Sequence, residues 1–329
     1  MSQSDKIGIS VIICCYNSEK RLPETIRHIA SQKVESDIPW ELIIVNNAST
    51  DRTTEIAKKE WAKYSTDCCF CIVDEFTSGL IYARKTGLDN AKYEIVIFCD
   101  DDNWFDDNFL ENAYTIMTQN PYIGALGGKG VGVFEAEKPD WFDDFETGYA
   151  IGVQGCCSGD ISKRGYVFGA GLVSRKKILT KVFDDKFEFL LLGRKENILL
   201  AGDDSEMCKR ILLLGYKLYY NDSLIYMHYL PANRLTWKYK KKMFEGFVLS
   251  SSVLCKYDEI IILSQTSSFK IIKSTFFFII DLIYTIVRRK NRSSLQREIR
   301  KNLCFIFSTS RFMNDCSTKE IINYYMSHK

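Results

Sequence analysis

The sequence predicts an α/β fold: a mostly parallel central sheet with helices on both faces, followed by a basic helical C-terminal region. Three observations predict it. Short β-branched runs alternate with segments of helical apolar spacing. The runs are apolar almost end to end, as in strands covered on both faces. The 329 residues are 46% hydrophobic and 26% charged, which suits a soluble chain with one large or two modest cores.

The elements follow in order. "IGISVIICCY" (Ile7 to Tyr16) is a first strand, ending in Asn17 and Ser18 where a helix can begin. "RLPETIRHIASQ" places Leu22, Ile26, Ile29 and Ala30 on one helical face. "WELIIVNN" is a second strand, and "STDRTTEIAKKEWAKY" opens with capping Ser, Thr and Asp. "CCFCIVD" is a third strand, "GLIYARKTGLDNA" a helix and "EIVIFC" a fourth strand. The glycine-rich "IGALGGKGVG" is expected to turn beneath a ligand or a second small sheet. It lacks the closing G-K-[ST] of a phosphate loop. "GYVFGAGLVSRKKIL" reads as a strand running into a helix start, and Asp204 to Leu214 as a capped helix stopped by Gly215.

In such sheets ligands bind beyond the carboxyl ends of the strands. Here the residues leaving those ends are Tyr16-Asn17, Asn46-Asn47, Asp74-Glu75 and Asp100-Asp101-Asp102. All are polar or carry a polar tip, and they are expected to converge on one edge. The carboxylate triplet admits three readings: a site for a hard divalent cation, an acid/base pair, or a solvated turn. Its place after the apolar "VIFC", with Arg84 and Lys85 on the preceding helix, favours the cation. A second acidic pair, Asp203-Asp204, begins a helix about a hundred residues later. A helix N-terminus favours ionised carboxylates, as a general base requires.

Taken together, "SVIICCYN", "ELIIVNNASTD", "ARKTGLDNA", "VIFCDDDNWF", "GAGLVSRK" and "GDDSEMCKRILLLGYKL" resemble family 2 glycosyltransferases of the GT-A fold, over roughly residues 7 to 237. The resemblance implies an inverting, metal-dependent transferase that uses a nucleotide-sugar, UDP-sugar first. Its donor half would span about 1–122 and its acceptor half about 123–237. Cys14, Tyr16 and Asn17 would lie beside the base. Asn47 stands where the family commonly has an aspartate that accepts a hydrogen bond from uracil, and Arg84 would touch the pyrophosphate. Asp100 and Asp102 form the D-x-D motif used with Mn²⁺ or Mg²⁺. Asp102 would bind the ion directly, with Asp100 and Asp101 serving ribose or water ligands. Asp204 matches the catalytic base, and Asp203 would orient the acceptor. His228 would be a further metal ligand or touch the diphosphate, or be structural. Arg234 would pair with a phosphate, or form a surface ion pair. Trp104 and Trp141 read as core or as walls of an acceptor cleft.

Net charge is +2, yet residues 238–301 hold 14 Lys/Arg against 5 Asp/Glu, so the rest of the chain is acidic. Within 238–329, "KYKKKMF" and "VRRKNR" bracket an apolar, aromatic stretch, "SFKIIKSTFFFIIDLIYTIV". It suits a membrane interface, packing on the catalytic domain, or a dimer contact; its aliphatic content argues against nucleic acid. No apolar run reaches a spanning length of about 18–20 residues. The N-terminus lacks signal-peptide features, and the twelve cysteines read as reduced thiols. Cys68 and Cys71 form a C-x-x-C without a second pair at zinc spacing. The expectation is a cytoplasmic enzyme at the inner face of the membrane, acting on a glycan or lipid-linked glycan in cell-surface polysaccharide synthesis. Two rivals are a degenerate sugar-nucleotide binder and a nucleotidyltransferase. The latter would carry a glycine-rich signature that "IICCYNSEKRL" lacks.

Overall fold

The four apolar runs become strands β1 (Ile9–Cys15), β2 (Trp40–Asn47), β3 (Cys69–Glu75) and β4 (Ile95–Asp100), all mutually parallel where they pair. Their residues alternate between two cores. Ile9, Val11 and Ile13 pack with helices α1 (Leu22–Ala30) and α4 (Phe109–Gln119). Ile12 packs on the other face with α3 (Leu80–Asn90) and α6 (Asp203–Leu213). Both faces of β1, β2 and β4 are therefore covered, which is why these strands carry so few polar residues, while β3 at the sheet edge is partly exposed. The amphipathic spacing of α1 does what its pattern requires: Leu22, Ile26 and Ile29 are fully buried.

The computed structural model describes residues 7–184, 186–193, 201–265 and 316–328. The chain divides into two compact units, Met1–Leu254 and Cys255–Lys329. Beyond β4 the first unit adds β5 (Asn103–Phe105), β6 (Ile123–Phe134), β7 (Gly159–Asp160), β8 (Leu172–Arg175) and β9 (Lys217–Leu230), with α2 (Thr53–Trp61) and α5 (Lys176–Val182). One nine-stranded sheet results, in the order β3-β2-β1-β4-β8-β6-β9-β5, with β7 on β9. Its first four strands are parallel. β8 enters antiparallel between β4 and β6, β6 and β9 run parallel, and β5 is antiparallel to β9.

One expectation is corrected here. The glycine-rich run 123–132 is neither a turn nor part of a separate small sheet. It is most of β6, a twelve-residue strand inside the main sheet. The glycines serve close strand packing: a Cβ at Gly128 would strike the Leu224 carbonyl of neighbouring β9.

Helix α7 (Trp237–Gln265) starts at the expected boundary near 237, while the first compact unit continues to Leu254. The second unit includes α8 (Cys316–Ser327), on which Ile321 and Tyr324 are buried. The expected apolar stretch 274–287 and basic run 288–292 lie outside the described residues. Among the described residues, no helix is long and apolar enough to cross a membrane, and the cysteines are free thiols.

Candidate active site

The three carboxylates form a turn. Asp100 ends β4 and Asn103 begins β5, so Asp101 and Asp102 make the bend. A bend sends successive side chains in different directions, and these carboxylates meet different partners. Asp101 turns back into the fold. Its carboxylate accepts from the Ser18 hydroxyl and from Arg21 at 3.2 and 2.6 Å, while its carbonyl accepts from Thr25 Oγ1 at 2.8 Å. Burial and the Asp102 charge push its carboxyl above the usual range, against the pull of Arg21. Asp102, 3% exposed, turns the opposite way, towards the end of β9. Arg234 donates to its Oδ2 at 2.8 Å, and His228 Nε2 lies 3.4 Å from its Oδ1. Asp100 is half-buried at the open edge, its N–H donating to Asn103 Oδ1 at 3.3 Å.

The other strand ends are level with this turn. Cys14 pairs in register with Asp100, Cys15 with Asn46, Asn46 with Asp74 and Asn47 with Glu75. The expected convergence on one edge is present. Much of the polarity there is engaged in shaping loops. Asn17 sits in the left-handed region at φ 50°, which asparagine tolerates. Its Oδ1 accepts from the Thr50 N–H at 2.8 Å and ties the β1 loop to the β2 loop. Asn47 is 4% exposed: Nδ2 donates to the Glu75 and Thr77 carbonyls at 3.2 and 2.7 Å, and Oδ1 accepts from the Gly79 N–H at 2.9 Å. Burial pushes the Cys14 thiol up to about 12. Tyr16 is 43% exposed at the end of β1, and Phe76, on the loop that Asn47 holds, is 87% exposed.

Arg84, expected against a pyrophosphate, is buried and paired with Asp203. It is 2% exposed, with NH1 2.7 Å from Asp203 Oδ2 and its guanidinium 5.4 Å from the Phe98 ring centre. Asp203 and Asp204 open α6 after Gly202, whose φ is 102°. Asp204 Oδ2 accepts from the Gly169 N–H at 3.0 Å, and Oδ1 from the Ser205 N–H at 2.7 Å. Gly169 is what permits this approach, since a Cβ there would lie 2.8 Å from Arg84 NH2 and 3.2 Å from Asp204 Cβ. Asp204 is half-buried at the helix N-terminus, with both carboxylate oxygens held by backbone donors.

His228 is 6% exposed and adds one more feature. Its Nδ1 lies 2.7 Å from the Tyr149 carbonyl oxygen, which can only accept, so Nδ1 carries the proton. In the neutral ring Nε2 is then a lone pair. It is buried, has no hydrogen-bond partner, and faces a carboxylate oxygen. Two acceptors in that relation need a cation between them or a second ring proton. The same Tyr149 donates its hydroxyl to the Arg234 carbonyl at 3.0 Å, so one residue touches the His228 ring and the Arg234 backbone.

Several positioning residues escaped the sequence reading. Tyr149 and Arg21 act through tertiary contacts and have no local signature. Glu206 and Arg210 had a faint one, opposite charges four apart on a helix. Both are fully buried and joined at 2.9 Å. Glu206 accepts the Leu190 and Leu191 N–H groups, and Arg210 donates to the carbonyls of Val182, Phe187 and Glu188. Together they fasten the 182–191 segment onto the helix that carries Asp203 and Asp204. Trp104 stacks between His28 and Tyr229, while Trp141 lies against Phe142 and Trp237.

Comparisons with known proteins agree with this architecture. Residues 10–157 match the family model described as glycosyl transferase family 2. Glycosyltransferase AglE of Haloferax volcanii is 25% identical over 243 residues, covering 72% of this chain and 71% of AglE. Glycosyltransferase GlyA of Streptococcus pneumoniae is 33% identical over 119 residues, covering 36% of this chain but only 16% of GlyA. Among solved structures, S. aureus TarS 1-349 in complex with UDP-GlcNAc superimposes with a TM-score of 0.50 at 20% identity. That superposition covers 68% of this chain and 58% of TarS 1-349, and at such identity it speaks for the α/β GT-A fold.

Proposed function

We propose, from the premise that this chain belongs to glycosyl transferase family 2, that it moves a sugar from a UDP-sugar to a hydroxyl of a glycan or lipid-linked glycan, with inversion. The observation that carries this reading is the Asp204 carboxylate, fixed at the start of α6 by the Gly169 and Ser205 N–H groups. The S. aureus relative that binds UDP-GlcNAc supports a uridine nucleotide as donor. A cell-surface polysaccharide is the product class this reading favours.

The chemistry follows from the residues. An acceptor hydroxyl attacks the anomeric carbon from the face opposite the nucleotide and gives its proton to Asp204. The new C–O bond forms as the old one breaks, and that electron pair leaves on the diphosphate oxygen. One displacement at carbon inverts it. Asp203, fixed by Arg84 at 2.7 Å, orients the acceptor and keeps the helix start rigid. Tyr16 offers a ring face to the base, with Cys14 and Asn17 beside it. Asn47 shapes the base pocket through the 75–79 loop that it holds.

The residues fit a divalent cation. His228 Nε2, which has no hydrogen-bond partner, lies 3.4 Å from Asp102 Oδ1. Among the described residues no three His, Cys, Asp or Glu side chains form a metal cluster, so diphosphate oxygens and water would complete the shell, as Mg²⁺ and Mn²⁺ accept. Asp102 and His228 would hold the ion, with Asp100 ligating through water or touching ribose. Such an ion offsets charge developing on the departing diphosphate. Arg234, bound to Asp102 Oδ2, is placed to pair with a phosphate when that carboxylate takes a cation.

The test is UDP release from a panel of UDP-sugars with Mn²⁺, Mg²⁺ or EDTA present. Metal-dependent release from one donor supports the reaction and identifies the sugar. Absence of both UDP release and UDP binding by calorimetry would overturn the reading.

A further inference from the structure

Helix α7 has one face that the fold uses and one that it does not. Lys240, Met243 and Ser250 are buried, at a spacing of three to seven residues along one side. The Lys240 ammonium lies 3.4 to 4.6 Å from the ring centres of Phe145, Trp237 and Trp141. Met243 packs in the cluster of Phe142, Tyr149 and Leu235. This inner face accounts for the helix's stability. It does not account for the outer one. There Trp237 is 65% exposed, Phe244 56%, Val248 56% and Leu249 65%. Trp237, Phe244 and Val248 recur at i, i+7 and i+11, so they form a single stripe along the axis.

Exposed apolar residues scattered singly need no explanation, but a continuous stripe does. Lys238, Lys241 and Lys242 are exposed beside it, against one acidic residue, Glu245. An apolar stripe with aromatic residues, flanked by lysines, is the composition of helices that lie in a membrane interface. We propose that residues 237–249 form a docking surface for an anionic lipid bilayer. Charge decides between this and self-association. Two copies meeting on this face through a twofold axis would set lysines against lysines, whereas anionic headgroups neutralise them. Position fits as well. The helix starts three residues after Arg234, whose guanidinium binds Asp102, so a docked helix brings the candidate active site close to the lipid surface. The surface is distinct from the sugar-transfer chemistry and can fail without it.

The test uses the full chain in vesicle co-sedimentation. Vesicles of phosphatidylcholine alone are compared with vesicles containing phosphatidylglycerol. Binding is expected only to the anionic vesicles and should weaken as salt rises. Each lysine at an anionic surface contributes about fivefold, so K238Q/K241Q/K242Q should weaken binding on the order of a hundredfold. Phe244→Ser with Val248→Ser should weaken it by a comparable amount, with melting temperature and UDP binding unchanged because neither side chain is in the core. Anionic vesicle binding that survives both sets of changes overturns the proposal, since the attachment then lies elsewhere in the chain. So does an oligomer, seen by analytical ultracentrifugation, that the Phe244/Val248 change dissolves. Unchanged UDP release in the same variants keeps this outcome separate from the reading of the active site.

Discussion

Asp101 and Asp102 are neighbours in sequence and opposites in role. Asp101 faces α1 and is bound by Ser18 and Arg21. Asp102 faces the end of β9 and meets His228 and Arg234. One is a structural acid that ties the β4 turn to the first helix. The other belongs to a cluster drawn from two distant segments, 102–103 and 228–234. The same contrast separates the two halves of the site. At the ends of β1 and β2, Asn17 and Asn47 hold backbone in place. At the start of α6, Asp204 is itself held by backbone. A polar residue at a strand end is therefore not a ligand by position alone; what matters is which way the backbone turns it.

The sharpest way to break this contrast is at Asp204. Asp204→Asn keeps shape and helix but removes the base, and should lower kcat by about 10²–10⁴-fold with UDP affinity unchanged in calorimetry. Transfer at wild-type rate would remove Asp204 from the mechanism. Next come the two neighbours in the turn. Asp101→Ala leaves Arg21 and Ser18 facing an empty carboxylate position and should cost on the order of 2–4 kcal/mol in urea unfolding. Asp102→Ala should cost less stability and instead abolish any metal dependence of UDP binding. Equal losses of stability would dissolve the distinction drawn here.

Asn47→Asp is a smaller test. It would set a carboxylate oxygen against the Glu75 and Thr77 carbonyls. A loss of about 1–3 kcal/mol in thermal unfolding is expected. A stable variant with tighter UDP binding would show that Asn47 reads the base itself. The smallest effect is in pH. Asp101 has its native pKa raised by burial and by the Asp102 charge, so the native state holds its proton more tightly than the unfolded chain. The stability this contributes is complete below the ordinary carboxylate range and is lost as pH rises through the raised native value. Asp102→Asn removes the neighbouring charge and should flatten that slope of melting temperature as pH rises out of the ordinary carboxylate range.

The legible part of the fold was the part governed by local period. β1 to β4 and helices α1, α2, α3 and α6 announce themselves by apolar spacing and caps, because each buries a face whose pattern is written within one turn or one pleat. β6 was not legible: glycines are poor strand formers locally, and only the approach of Leu224 from β9 makes them necessary. Within the site, residue types at strand ends and at the start of α6 were readable. Partners were not. Arg84 reads from the sequence as able to face phosphate oxygens; its buried pair with Asp203, 119 residues later, has no local signature.

What the sequence determined by itself is the α/β class and where along the chain its polar groups lie: carboxylates after β4, an acid pair at a helix start, βαβ units before them. These depend on short-range rules, which a few residues suffice to express. What only the tertiary structure decided is direction and pairing. It turned Asp101 towards α1 and Asp102 towards β9, set His228 Nε2 facing a carboxylate, and left one face of α7 exposed. Each of these depends on contacts between residues tens to over a hundred positions apart. Such contacts form only when the whole sheet has closed, so no local pattern could carry them.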